Sequence, residues 1–230
     1  MMLGAEEWLA LGLSLKVSLV ASLVSLPLAL WVAWILARRE FVGKSLVSAL
    51  VHLPLVLPPV VTGYGLLILF GRNGPLGEFL EATLGLQFAF RWTGAALAAG
   101  IMGFPLMVRA MRLAIEAVDP KLEEAAATLG AGRFWVFTLV TLPLIVPGIL
   151  AGAVLGFAKA MGEFGATITF VANIPGQTQT LPSAIYAFLQ VPGGEPAALR
   201  LVGLSLVVAL GAVLLSDWLG KRVAERIRGA

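Results

Sequence analysis

Between Leu11 and Leu36 the chain carries a single charged side chain, Lys16. A run that long and that apolar matches the hydrocarbon core of a bilayer, which takes roughly 20 residues of α-helix. Inside lipid the backbone has no water to bond, so the helix must satisfy its own N–H and C=O groups. Four further runs, 46–70, 93–108, 136–160 and 198–218, meet or approach that length, the third being the shortest. The charged fraction of 13% is about half the roughly 25% of a soluble domain. With 59% hydrophobic residues and a mean hydropathy of +0.95, the chain reads as an all-α polytopic membrane protein. It has about five transmembrane helices in a single domain, 1–230.

The basic residues report topology. Arg38, Arg39 and Lys44 separate spans one and two; Arg109, Arg112, Lys121 and Arg133 separate spans three and four; Lys221, Arg222, Arg226 and Arg228 follow span five. These eleven fall on one side, against Arg72, Arg91 and Arg200 on the other. Basic loops stay cytoplasmic, so the N-terminus is expected outside and the C-terminus inside. The same distribution explains the pI of about 9.6 without nucleic acid. Lys16 is expected to snorkel outward to Glu6 and Glu7. With no cysteine there is neither a disulfide framework nor thiolate chemistry. The acidic start "MMLGAEEWLA" and the length of the first run predict no cleavable signal peptide. A long semi-apolar connection, 163–196, lies on the outer side, and its residues 183–190 are expected to form a short helix at the outer mouth.

Residues 109–135 form a soluble-looking interruption, "RAMRLAIEAVDPKLEEAAATLGAGRFW". Asp119 can cap a helix whose first position is Pro120, where a missing N–H costs nothing. Glu123 and Glu124 suit the positive end of the dipole, and Ala125, Ala126 and Ala127 favour helix. Gly130 or Gly132 can take the left-handed stop. A helix of about 15 Å results, too short to span. Val118, Leu122, Ala125, Ala126 and Leu129 make one apolar face, with Lys121, Glu123 and Glu124 opposite. Such a helix either rests on its own protein or lipid, or serves as a docking knob for a cytoplasmic partner.

The same segment reads Glu-Ala-Ala, three residues, Gly, nine residues, an aliphatic, one residue, Leu-Pro, at Glu124, Ala125, Ala126, Gly130, Val140, Leu142 and Pro143. This pattern resembles the signature of permease subunits of type I ABC importers, with Val140 where the family has Ile. "HLPLVLPPVVTGYG", "FPLMVRAMRLAIEAVD", "GEFGATITFVANIPG" and "QVPGGE" resemble the molybdate branch, so the resemblance covers about 8–220. It implies that the helix near 119–130 is a coupling helix gripped by an ATP-hydrolysing subunit, with Asp119, Glu123, Glu124, Ala125, Ala126, Gly130 and Arg133 as its docking residues. It also implies a homodimer, two ABC ATPase subunits that bind ATP and Mg, and a periplasmic or lipid-anchored molybdate-binding protein. The chain itself would carry no cofactor and sit in the cytoplasmic (inner) membrane of a prokaryote. The alternatives are the same role for tungstate or sulfate, or an ATP-independent channel or membrane scaffold.

Several smaller signals remain. "VGKS" (42–45) ends like a phosphate loop, but position 38 is Arg where the loop needs Gly, so it reads as a helix-start turn. His52, the only histidine, is expected at a helix end near the cytoplasmic face. "LPLVLPPVVTG" (53–63) and "LPLIVPGILAG" (142–152) echo each other. The prolines Pro54, Pro58, Pro59, Pro143 and Pro147, with Thr62, Gly148 and Gly152, suggest two similarly bent helices lining one pathway. Gly148, Gly152 and Gly156 form a small face, for packing within the subunit or at a dimer axis. Lys159 and Glu163, four residues apart, either neutralise each other at the outer mouth or face an oxyanion or binding protein. Tyr64 and Asn173 are further polar candidates.

Overall fold

The computed structural model describes residues 4–229, and the helices follow the apolar runs. In chain order they are α1 (Ala5–Arg38), α2 (Lys44–Val56), α3 (Pro59–Phe70), α4 (Pro75–Leu84), α5 (Trp92–Glu116), α6 (Pro120–Thr128) and α7 (Arg133–Val136). A π turn (Phe137–Thr141) follows, then α8 (Leu142–Met161), α9 (Gly165–Val171), α10 (Leu181–Leu189) and α11 (Glu195–Gly229). Among the described residues four helical stretches are long and apolar enough to cross a membrane: α1, α5, α7 through α8, and α11. The expected second span is a bent pair: α2 and α3 meet at 110° around Leu57 and Pro58. The third span is longer than its apolar run, because α5 continues through Arg109 and Arg112 to Glu116.

Helix α5 is the axis of the molecule. Its N-terminal half is rich in alanine and glycine and its C-terminal half carries Met107 and Met111, and both halves bury much of their length. Lipid offers no hydrophobic drive between helices, so association rests on close van der Waals fit between small residues. Helix α8 supplies the matching face. A Cβ on Gly148 would stand 2.2 Å from Ala114 Cβ, and one on Gly156 would stand 2.6 Å from Met107 Sδ. The glycine face of α8 is therefore consumed within the subunit. The core divides along the axis. One layer, around the N-terminal half of α5, joins Val17, Ala21, Ala95, Ala96, Ala98, Ala99, Met102, Ala160, Ala166 and Phe170. The other, around its C-terminal half, joins Ala29, Ala33, Leu36, Met107, Val108, Met111, Ile115, Val118 and Ile145.

Polar ties mark the two ends and fix helix direction. At one end Arg200, early in α11, donates from Nε to Glu7 Oε1 at the start of α1 at 2.9 Å, and its Nη2 lies 2.8 Å from the same oxygen. Lys16 stacks 3.7 Å over the ring of Trp92 rather than reaching Glu6 and Glu7, because Glu7 is already held by Arg200. At the other end Arg38, closing α1, meets the chain that leaves α5. So α1, α5 and α11 run together and α8 returns between them. The expected short helix at 183–190 is α10. It starts at Leu181, whose N–H donates to Ser14 Oγ at 2.6 Å, and it packs on α1 and α11. Two of the basic residues counted for topology, Arg226 and Arg228, have side chains outside the described residues.

Candidate functional site

The interruption folds as its local chemistry dictates. Asp119 caps α6 by accepting from the Lys121 N–H at 3.0 Å, and Pro120 takes the first position. At the other end Gly130 adopts φ +90°. There the Gly130 N–H bonds Ala127 O at 3.0 Å and the Ala131 N–H bonds Ala126 O at 3.2 Å. These two bonds are the Schellman stop, which only a residue tolerant of positive φ closes without strain. The helix is thus fixed in length by groups within a few residues of its ends.

Its orientation is set from farther away. Glu123 turns inward, away from Lys121 and Glu124. Its Oε1 accepts from Arg38 Nη2 at 3.0 Å and from Thr141 Oγ at 2.7 Å. The same Arg38 nitrogen donates to Val118 O at 3.3 Å. One carboxylate therefore ties α6 to the end of α1 and to the π turn that opens α8. Thr141 is buried, and the side chains of Arg38 and Glu123 are only 18% and 24% exposed. Charge-assisted bonds with little water access contribute about 1.5–3 kcal/mol each. The expected faces of α6 are consequently rearranged. Glu123 and Ala126 belong to the seat, whereas Leu122 and Leu129 are exposed, Leu129 at 89%. Glu124, Ala125 and Arg133 also face out, continuous with exposed Phe134 and Trp135, whose rings meet edge to face at 5.8 Å. The sequence signal for the seat was slight: nothing local links Glu123 to Arg38 or Thr141.

The candidates expected at the outer mouth form a second group. Lys159 Nζ donates to Glu163 at 2.7 Å, and Glu163, with its side chain 1% exposed, also accepts the Ala166 N–H at 3.0 Å. Glu163 thereby caps α9, a helix within the expected 163–196 connection. Helix α9 lies directly on α3. A Cβ on Gly63 would stand 2.5 Å from Ala166 O, and one on Gly165 would stand 2.7 Å from Pro59 Cβ. Thr62 Oγ and Asn173 Oδ1 are buried without a hydrogen-bond partner among the described residues, while Asn173 Nδ2 reaches Ser183 O at 3.5 Å. Tyr64 is exposed.

The proline set divides. Pro58, Pro59 and Thr62 belong to the break and to the start of α3, which packs on α9, with Pro54 one turn before the break in α2. Pro143, Pro147 and Gly148 lie in the first turns of α8, whose Leu142, Ile145 and Ile149 pack in the layer around the C-terminal half of α5. Gly152 packs on the Met107 carbonyl and Met111. The two echo segments are not similarly bent: α8 is continuous where α2 and α3 are broken. "VGKS" is the helix-start turn expected, with Gly43 at φ +91° before α2. His52 is inside α2 rather than at its end.

Known proteins resemble this arrangement. Residues 25–228 match the family described as "Binding-protein-dependent transport system inner membrane component". The Molybdenum transport system permease protein ModB of Escherichia coli (strain K12) is 57% identical over 226 residues, covering 98% of this chain and 99% of that protein. The protein of the same name from Haemophilus influenzae is 55% identical over 218 residues, 95% of each chain. Among solved structures, a bacterial alginate ABC transporter in complex with alginate pentasaccharide-bound periplasmic protein superposes with a TM-score of 0.75 at 21% identity, covering 96% of this chain and 80% of that one. At that identity the likeness shows the fold.

Proposed function

Because the chain belongs to the binding-protein-dependent transport system inner membrane components, we propose that it is the permease subunit of an ATP-driven molybdate importer. The reading takes its substrate from relatives that match nearly end to end. It works in the cytoplasmic membrane as one transmembrane domain, N-terminus out and C-terminus in, paired with a second copy of itself. Two ABC ATPase subunits bind ATP and Mg below it, and a periplasmic or lipid-anchored binding protein delivers the oxyanion above. The chain itself performs no hydrolysis and holds no cofactor. Its outer group, Lys159, Glu163 and Asn173, borders the mouth, and the Pro58–Pro59 break borders the pathway.

The observation that carries the coupling mechanism is the Glu123 clamp. Helix α6 presents Leu122, Glu124, Ala125 and Leu129 outward, so a partner groove can grip it. Through Glu123 the gripped helix is bonded to Arg38 on α1 and Thr141 ahead of α8. A displacement of α6 by nucleotide-driven closure is then passed to two spans at once. Coupling of this kind needs a physical two-ended linkage rather than mere proximity.

The test is ATP-dependent molybdate uptake into vesicles holding this chain with its ATPase and binding protein, against excess sulfate or tungstate. Glu124→Lys should abolish uptake and weaken ATPase copurification. Glu123→Gln should leave the ATPase bound and cut uptake about tenfold or more, the loss of one charge-assisted bond. Uptake unaffected by both changes would sink the coupling role, and full assembly with sulfate as the preferred cargo would discard molybdate.

A further inference from the structure

Two features that the sequence presents as unrelated, the "VGKS" turn and the lone histidine, meet in one cavity. Lys44, Ser45, Ser48 and His52 of α2 face Arg112 of α5 across a hollow of about 440 Å³ that is widely open to its surroundings, with Ala49 the only apolar residue among those that line it. Positions 44, 48 and 52 recur every four residues, so they share a helix face. Arg112 meets them because α5 runs beyond the apolar limit of its span. The cavity lies at the end of the molecule that carries Arg38 and α6. We propose that it binds a tetrahedral oxyanion.

The lining is rich in donors. Lys44 Nζ uses one bond, to Glu40 at 2.6 Å, and Arg112 uses only Nε, to Glu116 at 2.7 Å. The two terminal nitrogens of Arg112 make no hydrogen bond among the described residues, which leaves a planar fork that matches two oxygens of an oxyanion. Ser45 and Ser48 each add a hydroxyl. His52 Nδ1 lies 2.7 Å from the Ser48 carbonyl oxygen, which can only accept, so Nδ1 carries the proton and Nε2 remains for a ligand or a second proton. Both ion pairs are i, i+4 and open to solvent, with the Glu40 side chain 88% exposed. Exposed pairs of this type are weak and exchange readily for a better anion. The oxyanion has two possible sources sharing this chemistry: a free ion such as molybdate or phosphate on the inner side, or the phosphate of an anionic lipid headgroup in the cytoplasmic leaflet. The site stands on its own geometry and survives even if the transported cargo is not molybdate.

His52 is the only histidine, so ¹⁵N-histidine labelling of the full chain without a polyhistidine tag gives one ring to follow. The chain is placed in phosphatidylcholine nanodiscs and titrated with sodium molybdate, then with sodium phosphate; a second preparation replaces part of the lipid with phosphatidylglycerol. A saturable movement of the His52 ring signals with either free ion assigns a soluble oxyanion. Movement only with phosphatidylglycerol assigns a headgroup. In either case Arg112→Gln should weaken the response about tenfold or more, and Arg112→Lys, which keeps the charge but not the fork, should fall between. Glu40→Gln, which removes a competing carboxylate, should strengthen it. Signals unmoved in every preparation, or moved equally in wild type, Lys44→Gln and Arg112→Gln, would overturn the proposal.

Discussion

The segments 53–63 and 142–152 share Leu-Pro-Leu, a second proline four residues on and a closing glycine, yet one breaks its helix by 110° and the other does not bend it apart. The difference turns on one residue, Pro59 against Gly148. A residue before proline is pushed out of the α region. With two prolines in sequence, both Leu57 (ψ 143°) and Pro58 (ψ 133°) are extended, and two consecutive backbone donors are missing. The ladder stops at the Leu57 N–H and restarts when the Val61 N–H bonds Pro58 O at 2.9 Å. In the second segment only Val146 precedes an interior proline, and Gly148 restores the donor. Pro143 falls in the first turn of α8, just after a π turn in which the Leu142 N–H already reaches Phe137 O. Similar sequence has become a hinge in one place and a continuous span in the other.

The comparison can be broken directly. The largest effect should come from Gly148→Pro. It recreates the double proline in α8 and drives ring atoms into Ala114, where even a Cβ would approach to 2.2 Å. A loss of about 3 kcal/mol or more is expected in detergent unfolding, with little assembled transporter. A normal melting curve would mean that the double proline is not what divides the segments. Next comes Gly63→Ala, whose Cβ would meet backbone of α9 at 2.5 Å. Backbone cannot swing aside, so a cost of about 1–3 kcal/mol is expected from the same unfolding titration. The equivalent change in the second segment, Gly152→Ala, meets Met107 O at 3.2 Å and the Met111 side chain at 3.2 Å. The Met111 side chain can give way and the Met107 carbonyl need shift only by a few tenths of an ångström, so the cost should stay below about 1 kcal/mol, and a value equal to that of Gly63→Ala would refute the contrast. The smallest change in stability, but the most informative in shape, belongs to Pro59→Gly. Spin labels at Ser48 and Ile68 should report a wider α2–α3 angle, and an unchanged distance distribution would show that contact with α9 alone holds the bend.

How legible the molecule was depends on distance along the chain. The caps of α6 were readable because Asp119, Pro120 and Gly130 act on groups within a few residues. The continuation of α5 past its apolar run was not, because Arg109 and Arg112 mark where lipid ends, not where helix ends. Nor was the inward turn of Glu123. On a helix, neighbours point about 100° apart, and two adjacent glutamates give no sign of which one finds Arg38, 85 positions away. The partner of Lys16 is not legible locally for the same reason, since Arg200, distant in sequence, holds Glu7 and leaves Lys16 to the Trp92 ring.

By itself the sequence determined the helical spans, the basic loops between them and the capped helix that interrupts them. Burial in lipid and local hydrogen bonding act on each segment almost independently of the rest. Only the tertiary structure decided which carboxylate became the seat of α6 and which glycine face was spent on α5. Those outcomes depend on what another helix places opposite, and that partner is supplied by residues far away in the chain.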